Sequence, residues 1–190
     1  MRILSIDPGS VSGAWAYHRT APGPGVSMIL DVDCDDIPPV SKSLDVLALL
    51  AVIDRFQPDV AVVERAMAFK QGVTGAFNYG AAYGAILGLL QARHVPIELI
   101  SPSVWKGRMG LDSEGETSRD KARLLYPTLH PKLSRKKDHN RAEALLLGRY
   151  FFTQSSQRKP GSRSSKTGSS PSSAPEISSR SRLSASAAAV

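Results

Sequence analysis

Two acidic residues end runs of apolar residues: RILSID closes on Asp7, just before Pro8-Gly9, and DVAVVE closes on Glu64. A third acid, Glu143, lies in KKDHNRAEALLLGRY, directly beside an Ala-Leu run. A carboxylate set against buried surface needs a partner. If the two runs are neighbouring parallel strands, Asp7 and Glu64 emerge at one edge of a sheet. Two unneutralised acids held that close repel each other, so a cation is the natural resolution. Ligands that are all oxygen suit magnesium or manganese rather than zinc. The plainer alternatives are an Asx-type turn of Asp7 with Pro8-Gly9 and a surface pair of Glu64 with Arg65. Both acids ending buried-type strands in one small domain, with a third on a helix, favours the shared site.

Around Glu143, helical spacing puts Asn140 (i, i+3) and His139 (i, i+4) on the same face, while Asp138 is five residues away. Asp138 joins such a site only from the N-cap or before it; it also suits a simple N-cap role, with His139 an exposed first-turn residue. Lys136, Lys137 and Arg141 are candidates to hold phosphates or offset developing negative charge, against the alternative of a solvated basic helix end.

The elements that must position these groups follow from periodicity. RILSID reads as a buried strand ended by a tight turn, and Val11 to His18 and Val26 to Val32 as two further strands separated by Ala21-Pro22-Gly23-Pro24-Gly25. Leu44, Leu47, Ala48 and Ala51 recur at helical spacing up to Phe56, before Pro58. DVAVVE (Asp59 to Glu64) lacks alternation, as a strand covered on both faces does. Thr74 to His94 is helical, with Gly80, Gly84 and Gly88 on one face that admits close approach of another backbone, either the sheet or a second copy. PIELI (Pro96 to Ile100) is a fifth strand, Ser118 to Tyr126 a short helix, and Asp138 to Phe152 a final amphipathic helix. The fold class predicted is α/β, a mixed five-stranded sheet flanked by helices, with functional groups gathered beyond strand ends.

Of the formal charge of +7, about five units lie from Ser155 onward, where six basic residues face Glu176 alone. The folded part, residues 1 to 153, is left near +2, with bases clustered at Arg119 to Arg123 and Lys132 to Arg141. Residues 154 to 190 are Ser, Pro, Gly, Ala and basic residues that cannot offset their ordering entropy, which predicts a disordered tail. The single cysteine, Cys34, excludes an internal disulfide and a thiolate zinc site. MRILSIDPGS is too short an apolar run for a signal peptide, and no stretch is expected to approach the ~18 apolar residues of a membrane span. A soluble protein of a reducing, cytoplasmic compartment is predicted, with no membrane partner.

Taken in order, IDPGSVSGAWA, VVERAMAF and DHNRAEALLLG resemble the RuvC-type Holliday-junction resolvases over about residues 1 to 152, and SPSVWKGRMGL with Lys121 and Arg123 resembles the phage and plasmid-like branch. The resemblance implies a ribonuclease-H-like fold, a homodimer, and magnesium-dependent hydrolysis of one phosphodiester in each of two opposed strands of a four-way DNA junction. The setting it implies is a bacterial cytoplasm or a phage-infected cell. Asp7, Glu64 and Glu143 match its acids. Two divalent ions roughly 4 Å apart would activate water and steady the leaving oxygen, with Asp7 bridging and manganese able to replace magnesium. The family's further acid, three residues before the last, is here Asn140, leaving Asn140 or Asp138 as fourth ligand. Phe69 and Lys70, in the loop after Glu64, are candidates to enter the junction, Phe69 stacking on a base or packing into the core. Trp105 is expected to be buried and Lys106 to reach a phosphate.

Two other classes compete. The first motif is also similar to the phosphate loop of actin-like ATPases and sugar kinases, which normally need a duplicated half. A module that binds branched nucleic acid without cutting it accommodates the displaced fourth acid, and an RNA-processing nuclease of the same fold is a related alternative.

Overall fold

The computed structural model describes residues 1–11, 13–21, 28–40, 43–66, 72–111 and 115–157, with the side chains of 115 and 116 left out. Strand β1 (Arg2–Asp7) pairs antiparallel with β2 (Gly13–Ala21), which pairs antiparallel with β3 (Met28–Ile37). This is the expected opening meander. A two-residue hairpin, β4 (Pro39–Val40) with β5 (Ser43–Leu44), leads into α1 (Val46–Phe56). Asp45 caps α1 by accepting from the Ala48 N–H at 3.0 Å. Strand β6 (Val60–Glu64) runs parallel to β1, α2 spans Val73–Ala92, and β7 (Ile97–Ile100) runs parallel to β6. The order across the sheet is β3, β2, β1, β6, β7, the mixed five-stranded sheet predicted.

Side-chain alternation divides the interior between two faces. Leu4, Ile6, Trp15, Tyr17, Ala61 and Val63 pack with α1 and α2. Ile3, Ala14, Ala16, Val60 and Val62 pack with the C-terminal segments: α3 (Pro102–Arg108), α4 (Gly115–Leu125), two 3-10 turns (Pro127–Leu133 and Lys136–Asp138) and α5 (His139–Gln157). The seven-residue α3 and the β4–β5 hairpin are too short to leave a periodic signal in the sequence.

Helix α5 is seated on the sheet by polar as well as apolar contacts. The Ser5 hydroxyl of β1 donates to the Ala144 carbonyl at 2.7 Å. Gly148 allows the helix to come this close, because a Cβ there would lie 2.5 Å from the Ser5 Oγ and 2.6 Å from the His18 ring. His18 is fully buried against the Tyr126 hydroxyl, and burial lowers its pKa to about 3, so it is a neutral core group. The helix continues to Gln157, past the expected boundary at 153. Thr153, Ser155 and Ser156 hydroxyls return hydrogen bonds to the Arg149 and Phe152 carbonyls, so these polar residues are satisfied within the helix. Residues 158–190, the rest of the expected tail, lie outside the described residues.

Helix α2 corrects one expectation and removes one of two alternatives left open for its glycine face. Its 20 residues are long and apolar enough to cross a membrane, against the expectation that no stretch would be. Its glycine face does not pack on the sheet either: a Cβ at Gly80, Gly84 or Gly88 would meet nothing within 4 Å. Ala82, Ile86 and Leu90 face the sheet instead, and Val73 and Phe77 stand 90% and 74% exposed. Periodicity identifies the helix; which stripe meets the sheet is set by the sheet's position.

Candidate active site

The register places the acids. Ile6 of β1 is opposite Val63 of β6, so Asp7 and Glu64 follow as the next residues of each parallel strand. Both continue the side-chain set that faces α5, Asp7 after Ile3 and Ser5, Glu64 after Val60 and Val62. Glu143 precedes Ala144, whose carbonyl is tied to Ser5 two residues before Asp7. Three carboxylates therefore meet at one edge of the sheet, beneath the start of α5.

Their electrostatics show the crowding. Burial pushes the Asp7 carboxyl well above the usual carboxylate range, and the charges of Glu64 and Glu143 push the same way against Lys106. Burial also raises Glu64, while the Trp105 indole and Lys106 pull it down and Glu143 adds to the rise. Glu143 accepts from Lys106 Nζ at 2.8 Å and from the Ser118 hydroxyl at 3.2 Å. Burial disfavours the Lys106 ammonium, but Glu143, Glu64 and Asp7 outweigh it and hold its pKa above the usual value. Tyr79 of α2 lies within the same field: burial, then Asp7 and Glu64, push its phenol up to about 12.

This donor set is all oxygen and carries more acid than base, which fits a hard divalent cation. As the side chains stand, no group of three or more His, Cys, Asp or Glu among the described residues forms a ready ligand set. Glu64 is turned onto Trp105 Nε1 at 2.6 Å, and Glu143 onto Lys106.

The other expected site residues are distributed differently. Asp138 does not join the acids. Its buried carboxylate accepts from the Arg135 backbone N–H at 2.7 Å and pairs with the Arg135 guanidinium at 2.8 Å, fixing the turn ahead of α5. Burial acts to raise its pKa, but the Arg135 hydrogen bonds and the charges of Arg135 and Arg141 bring it below the usual value. Arg141 is not free for DNA: its side chain is 11% exposed and held by Asp35 at 3.0 Å and Asp36 at 2.5 Å. Lys106, expected on a phosphate, is engaged by Glu143. Asn140 is half-buried, and its amide makes no hydrogen bond among the described residues. Lys136 and Lys137 are exposed, as is His139. Phe69 and Lys70 lie outside the described residues.

Sequence reasoning missed Ser118, Tyr79 and the bond from Trp105 to Glu64. A buried indole needs an acceptor, which was the one available signal; nothing local marks Ser118, which donates to Glu143, or Tyr79, which lies in the field of Asp7 and Glu64.

No protein-family profile matches the chain. Among curated proteins it is 33% identical over 111 residues to the crossover junction endodeoxyribonuclease RuvC of Chloroflexus aggregans, covering 56% of this chain and 66% of that one. It is 34% identical over 110 residues to the RuvC of Nitratidesulfovibrio vulgaris, covering 55% and 63%. The chain thus spans just under two thirds of these relatives' lengths. Among solved structures it resembles Thermus thermophilus RuvC at a TM-score of 0.56 and 16% identity, covering 82% of this chain and 98% of that one. A fowlpox virus resolvase, solved with substrate Holliday junction DNA, matches at 0.52 and 14%, covering 81% and 98%. The five-stranded sheet with its helices is the fold of these neighbours, and over the matched residues the chain is similar in sequence to RuvC proteins.

Proposed function

We propose that the protein is a structure-selective endodeoxyribonuclease that hydrolyses phosphodiesters at four-way DNA junctions. The observation that carries this reading is the gathering of Asp7, Glu64 and Glu143 on one face of the sheet edge with Lys106 as their counter-charge. Asp7, Glu64 and Glu143 would hold magnesium or manganese, with the Asn140 amide oxygen, one turn before Glu143, as the candidate fourth ligand. Two ions per site is the occupancy this reading favours. Bound there, the metal supplies Lewis acidity and a nucleophilic water at neutral pH. Lys106 holds the Glu143 carboxylate in place and, when released from it, presents an ammonium to a phosphate oxygen. Lys136 and Lys137, exposed just before α5, would contact the DNA backbone.

Two opposed strands call for two sites, and the exposed stripe of α2 suits a homodimer. Val73, Phe77, Gly80, Gly84 and Gly88 follow one another at spacings of three and four residues, all turned away from their own sheet. A second copy of α2 would cover large apolar side chains and approach closely at the glycines.

The test is cleavage of a synthetic four-way junction and a matched linear duplex in magnesium, with the intact protein beside Glu143→Gln. Paired nicks in the junction alone, lost in Glu143→Gln while junction binding persists, are expected. Binding of the junction with no cutting in magnesium or manganese would instead identify a recognition module.

A further inference from the structure

We infer that Trp105 is a positioning residue, whose indole N–H fixes the orientation in which Glu64 meets the metal. The inference rests on the reading of the three acids as a metal site. Trp105 is fully buried on α3, and its Nε1 donates to Glu64 Oε2 at 2.6 Å. No other hydrogen bond holds Glu64 among the described residues. A glutamate at a strand end has three side-chain torsions to fix, whereas the indole is locked by packing against Ile3, Val62 and the C-terminal helices. One carboxylate oxygen is thereby anchored and the other left for a ligand, the arrangement in which an outer partner orients a metal-binding carboxylate.

A structural explanation alone leaves the choice of partner unaccounted for. If Trp105 served only to fill the core, its N–H could end on a neutral carbonyl. Here it ends on a carboxylate beside two other acids, a charge-assisted bond of 2.6 Å. The next residue, Lys106, holds Glu143 at 2.8 Å and lies 5.3 Å from the Trp105 ring centroid. One short helix therefore sets two of the three acids through two consecutive side chains.

The experiment removes the N–H and keeps the shape. The chain holds two tryptophans, so a Trp15→Phe background leaves Trp105 as the single site for a benzothienyl analogue, in which sulfur replaces the indole N–H. Manganese affinity is measured by calorimetry, and junction KM and kcat are measured across metal concentrations. The expected result is manganese binding weakened by about 10- to 100-fold, with junction KM unchanged and kcat restored by raising the metal concentration. Trp105→Phe, which also lacks the donor, should show the same metal-rescued defect. Equal manganese affinity in the analogue and Trp15→Phe proteins overturns the inference, as does a kcat defect that metal does not rescue. If the Trp15→Phe protein itself neither binds manganese nor cuts, while folded by circular dichroism, the proposed function falls and the inference with it.

Discussion

Two acidic clusters lie on either side of α5 and are neutralised to different extents. At the ends of β1 and β6 and the start of α5, Asp7, Glu64 and Glu143 have Lys106 as a counter-charge. Between β3 and α5, Asp33, Asp35, Asp36 and Asp138 meet Lys132, Arg135 and Arg141, with Arg55 reaching Asp33 at 3.7 Å. The second set has a base for each acid, and its buried member, Asp138, has a depressed pKa. In the first set Asp7 is pushed well up. Matched charge ties elements together, whereas unmatched charge is tolerated where an external ligand completes it.

The sharpest way to break this contrast is Asp7→Asn. Junction cleavage should fall by more than the roughly 10- to 100-fold that loss of an outer-shell partner costs, while the metal-free protein melts a few degrees higher, at about 2–4 °C per kcal/mol of relieved repulsion. An unchanged or lower melting point in the absence of metal would place Asp7 among the matched charges.

Arg141→Met attacks the other cluster. It leaves Asp35, Asp36 and Asp138 without their shared guanidinium and should cost about 2–3 kcal/mol, less than the ~3–5 of a fully buried pair because Asp35 and Asp36 remain open to water. Manganese affinity should be untouched. Denaturant melts and calorimetry on this one variant separate the two effects.

The two clusters should also give stability opposite pH slopes in metal-free buffer. Asp138 is depressed below its ordinary 3.8, so its contribution is present above that value and is lost as pH falls through the folded pKa. Asp7 is raised above 3.8, so stability from its protonated form is full below 3.8 and is lost as pH rises through the folded value. Asp138→Asn should flatten the acid limb of melting temperature against pH, and Asp7→Asn the limb toward neutrality. Identical profiles for the two variants would remove the distinction.

The smallest effect is expected at bases in neither cluster. Lys136→Ala with Lys137→Ala should leave the melting temperature unchanged. The slope of log affinity against log salt for the junction should become shallower by up to about 0.9 for each phosphate that these lysines neutralise.

Much of this was legible in the chain itself. Asp7 and Glu64 close apolar runs, and their strands prove to be parallel neighbours whose next residues are these acids. Glu143 stands beside Ala144–Leu147, all fully buried. These features are local: a period of two or of 3.6 residues, read over a few turns, decides which side of an element is wet. The same logic placed Asp138 five residues from Glu143 and left its role to the geometry of the helix start.

The partners, by contrast, belong to the tertiary structure. Arg141 lies two residues from Glu143 yet pairs across to β3, 105 residues away, because successive positions on a helix face about 100° apart. Trp105 finds Glu64 and Lys106 finds Glu143 across separations of 41 and 37 residues. The sequence alone pointed to the three carboxylates and to the strands and helix that carry them. Which acids are matched by a base, and which are not, was decided by packing, since a charge pair depends on distance in space and periodicity reports only distance along the chain.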